Sequence, residues 1–219
     1  MNTLSDSDVL AAVSEPETGE QPAEGVFTLD TPITTKDGRE WQTLSLREPC
    51  VFHCLQAAKV IGKKPSLESV YDSQIDMVIR ISGWPKVAVD QLGTTILDSA
   101  VAYVSAFEDE ARRNPDDEPE CPPSLVLVLS PPVEAVNSTF ADMTLREPVV
   151  AERRRFKATE GRGSVADFLQ AEIDLVCAVS TWPLAAVLKM PISRFAKAAD
   201  YLTGFFTTGR RTGSPFQPT

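Results

Sequence analysis

Cys50, His53 and Cys54 stand close together and are the first side chains in the chain that could hold a metal. A structural zinc needs four good ligands. No second cluster follows, and His53 is the only histidine. Metal ligation is therefore not expected, and His53 reads as a structural or surface residue. Gly161-Arg162-Gly163 is too short to cradle a phosphate. Asp76 and Asp174 each follow an inward Ile on an apolar helix. They read as carboxylates paired with a neighbour, Arg47 and Arg146 being the candidates, because buried charge requires a partner. No set of nucleophile, base and acid emerges, so the chain reads as a non-enzyme without metal or cofactor. One basic cluster remains, Arg153-Arg154-Arg155-Phe156-Lys157. It reads as a solvated helix face or as a contact for an acidic partner.

The elements that carry these residues occur twice. Leu44-Ser45-Leu46-Arg47-Glu48-Pro49 is answered by Met143-Thr144-Leu145-Arg146-Glu147-Pro148. Ile75-Asp76-Met77-Val78 is answered by Ile173-Asp174-Leu175-Val176, and Gly83-Trp84-Pro85 by Thr181-Trp182-Pro183. Tyr103 and Phe107 are answered by Tyr201 and Phe205. The offset drifts only from 100 through 99 to 98 along the chain. Ordered matches with so little drift indicate a tandem duplication of a domain-sized unit.

Each unit opens with a hairpin. Val26–Ile33 alternates apolar and polar residues, and Asp37-Gly38 suits the positive φ of a tight turn. The second hairpin lacks a glycine between Glu134 and Ser138, so a looser turn is expected there. Pro49 opens a helix running to about Lys63, with Phe52, Leu55 and Val60 inward, since a missing N–H is harmless in the first turn. Ser66 and Ser164 cap the next helices, whose Ile75/Val78 and Ile173/Val176 stripes face a core. The Trp-Pro pairs stop those helices and start a short third one, before a final amphipathic helix. The fold class is α+β and mainly helical: two tandem modules, each a β-hairpin followed by three or four helices. Residues 1–24 form an acidic tail, 25–113 the first module, 114–123 an acidic proline-rich flexible linker, 124–208 the second module, and 209–219 a flexible end.

The net charge of −10 sits in the extensions. Met1–Glu24 has six acids and no base, and Glu108–Glu120 has seven acids against two arginines. The modules themselves are nearly neutral. A large phosphate-binding surface is therefore not expected, and duplex binding through Arg153–Lys157 lacks a second basic or aromatic surface. No apolar run reaches the ~20 residues of a membrane span. The four cysteines form no CxxC, which fits reduced thiols in a cytoplasm.

An apolar strand ending in Pro, a hairpin, Leu-x-Leu-Arg-Glu-Pro and helices that carry an Asp and end near Trp-Pro together resemble the tail assembly chaperones of long-tailed phages. The similarity is closest to the contractile-tail type and covers Phe27–Phe107 and again Leu127–Phe206. The resemblance implies a non-enzymatic factor acting in the host cytoplasm. Such a factor would bind the tape measure protein, help recruit tail tube subunits, and leave before the virion is complete. Self-association is compatible with it, and a structural tail or baseplate adaptor is the alternative. The second helices agree between the copies while the first differ. The first helices are thus expected to be the partner-facing elements, with Phe52 and Leu55 in one copy and Arg153, Arg154, Arg155 and Lys157 in the other.

Overall fold

Residues 24–207 are described by a computed structural model; the acidic tail and the expected flexible end lie largely outside them. Strand β1 (Val26–Thr34) pairs antiparallel with β2 (Glu40–Ser45), and β3 (Ser124–Ala135) pairs in the same way with β4 (Ser138–Arg146). The registers correspond pair by pair. Phe27 opposes Leu44 as Leu127 opposes Met143, and Ile33 opposes Trp41 as Val133 opposes Phe140. Both hairpins break register at the same place, between Thr28 and Ile33 and between Val128 and Val133. Such a bulge re-aims the side chains beyond it.

The expectation for the turns is reversed. The second hairpin closes in two residues, Val136 and Asn137, with φ of 50° and 55°. That is the paired positive-φ geometry of the tightest hairpin turn. Asn tolerates it without glycine. The first hairpin spans Thr35–Arg39, where the Thr35 hydroxyl donates to the Asp37 carboxylate.

The helices of the first module are α1 (Val51–Ile61), α2 (Leu67–Ser82), α3 (Lys86–Val89) and α4 (Thr94–Asp109). Those of the second are α5 (Val150–Glu160), α6 (Val165–Ser180), α7 (Leu184–Lys189) and α8 (Ile192–Thr207). Local chemistry repeats closely. The Ser66 and Ser164 hydroxyls accept from the third amide of their helices, at 3.1 and 3.0 Å. At the other end Ser82 bonds back to the Val78 carbonyl and accepts from the Trp84 amide, at 2.7 and 3.1 Å. Ser180 does the same with Val176 and Trp182 at identical distances. The tryptophans plug the junctions as the sequence suggests. Trp84 is buried against Trp41 with ring centres 5.5 Å apart, and Trp182 against Phe140 at 5.0 Å. These tilted contacts pin each hairpin onto its helices.

One core lies under β1–β2 and contains Leu29, Leu44, Ile75, Val78, Leu97 and Val104. The other lies under β3–β4 and contains Met143, Leu145, Ile173, Val176, Phe195 and Leu202. The second core also takes in Val51, Cys54 and Leu55, which belong to α1 of the first module. The segment expected to be a flexible linker is laid along α8. Tyr201 donates to the Pro122 carbonyl at 2.8 Å, and a Cβ on Gly204 would come within 2.9 Å of Pro119. A bare glycine is what permits that approach.

Candidate functional site

The two first helices, expected to face a partner, are held in different ways. In both copies the reciprocal cap at its start is the same device. The Val149 amide donates to the Glu152 carboxylate at 2.8 Å, and the Cys50 amide donates to His53 Nδ1 at 3.3 Å. His53 thus occupies the position of Glu152 and serves as a capping acceptor. Burial, then the charges of Arg47 and Arg80, pushes its pKa down, which preserves the neutral acceptor form. Glu152 is further clamped by Arg146 through two bonds of 2.8 and 3.0 Å, and that pairing holds its carboxyl below the usual range. Arg146 is accordingly not the partner of Asp174. Asp174 accepts from Gln170 at 2.8 Å, and Asp76 pairs with Arg80 at 2.6 Å, each one turn away on its own helix. A partner at that spacing was available from each helix itself.

Beyond the cap the two helices part company. Helix α1 is wedged between α2 and the second module. Its Val51 amide donates to the Met190 carbonyl at 3.1 Å, and the Ile192 amide returns a bond to the Pro49 carbonyl at 2.9 Å. The Ser193 amide, at the start of α8, donates to the Glu48 carboxylate at 2.8 Å, an anion at a helix N-terminus. Val51, Cys54 and Leu55 are buried there. Burying a Val and a Leu contributes roughly 2 kcal/mol each, so the docking is strong. Burial also pushes the Cys54 thiol far up, making it an inert core residue.

A second lock follows α4. Arg112 reaches Glu172 with two bonds of 2.9 and 3.0 Å, Asp200 at 3.1 Å and Glu108 at 2.9 Å. The Arg113 amide adds a bond to Asp200 at 2.5 Å. Glu172 is 2% exposed. Burial pulls the guanidinium pKa down, but the bonds and charges of Glu172 and Glu108 outweigh it, and the net shift is upward. Sequence reading passed over Arg112, Glu172 and Asp200. Their signal was a difference between copies, because Gln74 and Ala102 stand at the matching positions.

Among the candidate contact residues, Leu55 is 5% exposed and is occupied by the second module. Phe52 points outward and is 40% exposed. On α5 only Glu152 and Phe156 are buried, so Arg153, Arg154, Arg155 and Lys157 are all at the surface. Arg153 lies over the Phe206 ring at 4.9 Å and bonds its carbonyl at 3.2 Å, while Lys157 pairs with Glu160 at 2.7 Å. Among the described residues no group of His, Cys, Asp and Glu could hold a metal ion. No helix among them is long and apolar enough to cross a membrane.

The family model described as phage tail assembly chaperone proteins, E, or 41 or 14, matches residues 26–109 and again 126–207. No curated protein and no solved structure matches the chain. The two matched segments coincide with the two hairpin-and-helix units, and the family is one of non-enzymatic assembly factors. The chain belongs to the phage tail assembly chaperone family and carries its unit twice.

Proposed function

We propose that this chaperone binds the tape measure protein in the host cytoplasm, assists tail tube assembly, and is absent from the finished virion. The observation that supports this reading most is the surface of the first helices. On α1, Phe52 and Val60 are exposed at 40% and 39% on a helix otherwise held by two packed neighbours. An aromatic on a rigid helix face is the kind of anchor that receives an amphipathic helix. Arg155 occupies the matching outward face of α5, and Arg153, Arg154 and Lys157 lie on the adjoining one.

Co-expression with the tape measure protein tests the reading. The tagged chaperone should retain the tape measure protein, and Phe52→Asp should reduce that retention without altering the circular dichroism spectrum. Mass spectrometry of purified particles should find no chaperone. Its presence in fixed copy number would instead identify a structural tail component.

A further inference from the structure

The junction of the two modules leaves an apolar cleft of about 490 Å³ open to solvent. Ala57 and Ile61 at the end of α1, Met77 of α2, and Val165 and Phe168 at the start of α6 line it. Val165 and Phe168 are 47% and 43% exposed. Large apolar side chains left facing a cleft mark a binding surface. The lining is also acidic. Glu108, Asp109 and Glu172 stand there beside Arg112, which already serves Glu108, Glu172 and Asp200. Among the described residues the Asp109 carboxylate has no hydrogen bond or ion pair. The occupant that fits such a cleft carries cations and an aromatic ring.

The chain has such a segment next to the cleft. Residues 208–219 lie outside the described residues; they include Arg210, Arg211 and Phe216 and no Asp or Glu. They follow α8, whose Phe206 packs on Phe156 with ring centres 5.3 Å apart, and Phe156 packs in turn on Phe168 at 6.1 Å. One ring therefore separates the end of α8 from the mouth of the cleft. Arg210 and Phe216 stand four and ten positions beyond Phe206. At roughly 3.3–3.6 Å per extended residue, both reach the cleft. On the α5 side of the exit stands Arg153, whose guanidinium bonds the Phe206 carbonyl and is of like charge to Arg210 and Arg211.

We infer that residues 208–219 turn back over the junction and occupy this cleft, Phe216 entering between Ile61 and Phe168, and Arg210 and Arg211 meeting Glu108 and Asp109. So placed, the segment bridges α1 and α2 of the first module to α6 of the second. The inference goes beyond binding of the tape measure protein, because Ala57, Ala58 and Ile61 lie on the side of α1 opposite Phe52.

Limited trypsin cleavage of the full chain, followed by intact-mass spectrometry, tests it. Cleavage after Arg210 or Arg211 should be at least about tenfold slower than in a free peptide of residues 204–219, because cleavage of a docked segment tracks its undocked fraction. Phe216→Ser leaves the cleavage sites intact, and Phe168→Ser alters only the cleft. Each should speed cleavage by about tenfold or more, since an aromatic ring no longer leaves water. Asp109→Asn, at an exposed helix end, should speed it about threefold. All three variants should keep the circular dichroism spectrum of the wild type. A wild type cleaved as fast as the free peptide overturns the inference. Protection that survives both Phe168→Ser and Asp109→Asn seats the segment elsewhere and overturns it as well. Protection that grows with protein concentration also overturns it, by seating the segment on a second copy.

Discussion

Equivalent positions in the two modules hold different residues, and the comparison shows what each side chain does. His53 and Glu152 cap the same turn, one as a neutral imidazole and one as a carboxylate clamped by Arg146. Both pKa values are depressed, His53 below 6.5 and Glu152 below 4.5. Each group's contribution to stability is therefore present above its ordinary value and is lost as pH falls through its lower folded value. Acid should loosen α1 first and α5 only at lower pH. His53→Gln keeps a side-chain acceptor without the titration. It should leave stability at neutral pH within about 1 kcal/mol of wild type and flatten the slope of urea midpoint against pH below 6.5. An unchanged slope would show that His53 does not set it.

The two hairpins share register and bulge, yet their turns solve the closure differently. Val136 takes φ of 50° in a two-residue turn while 66% exposed. A β-branched residue in the left-handed region is strained, and an exposed one gains no packing in return. Val136→Asn should therefore stabilise the protein by about 1 kcal/mol, seen as a higher urea midpoint with an unchanged denaturant slope. A lower midpoint would mean that Val136 makes a contact which outweighs its backbone strain. The helices show the opposite pattern. Their caps repeat, and the copies diverge most where the modules meet, at Cys54 and Leu55 of α1 and at Glu172 and Asp200 of α6 and α8.

At the scale of the molecule, α1 belongs by sequence to one module and by packing to both. Val51 and Leu55 fill the second core, Glu48 caps α8, and Arg112 closes the far side against Glu172 and Asp200. Truncating only one partner of such a buried pair costs about 3–5 kcal/mol, so separation of the modules is strongly opposed. Unfolding should be a single transition. Leu55→Asp should lower the thermal midpoint of both modules together, because an unpaired charge at that junction costs several kcal/mol. Hydrogen exchange resolved by segment would check it. Loss of protection in the first module alone would show that the two unfold independently.

The duplication, the hairpins, the capped helices, the Trp-Pro junctions and the Ile75/Val78 and Ile173/Val176 stripes were legible in the residues, whereas Leu67, Val70, Tyr71, Val165 and Phe168, on the same apolar pattern, are exposed. Each legible feature depends on contacts within a few turns of chain or on a period that the sequence itself displays. The family followed from the same local motifs. What the residues alone did not reveal was the destination of α1. Phe52, Leu55 and Val60 read as inward, yet only Leu55 is buried, while Phe52 and Val60 are 40% and 39% exposed, because the second module covers the other side of the helix. The linker likewise reads as flexible from its acids and prolines, yet Arg112, Arg113 and Pro122 tie it to Glu172, Asp200 and Tyr201. Those partners lie 60 to 88 positions away. Pairings across such distances are set by which faces remain uncovered once each module has closed, and only the assembled tertiary structure decides that.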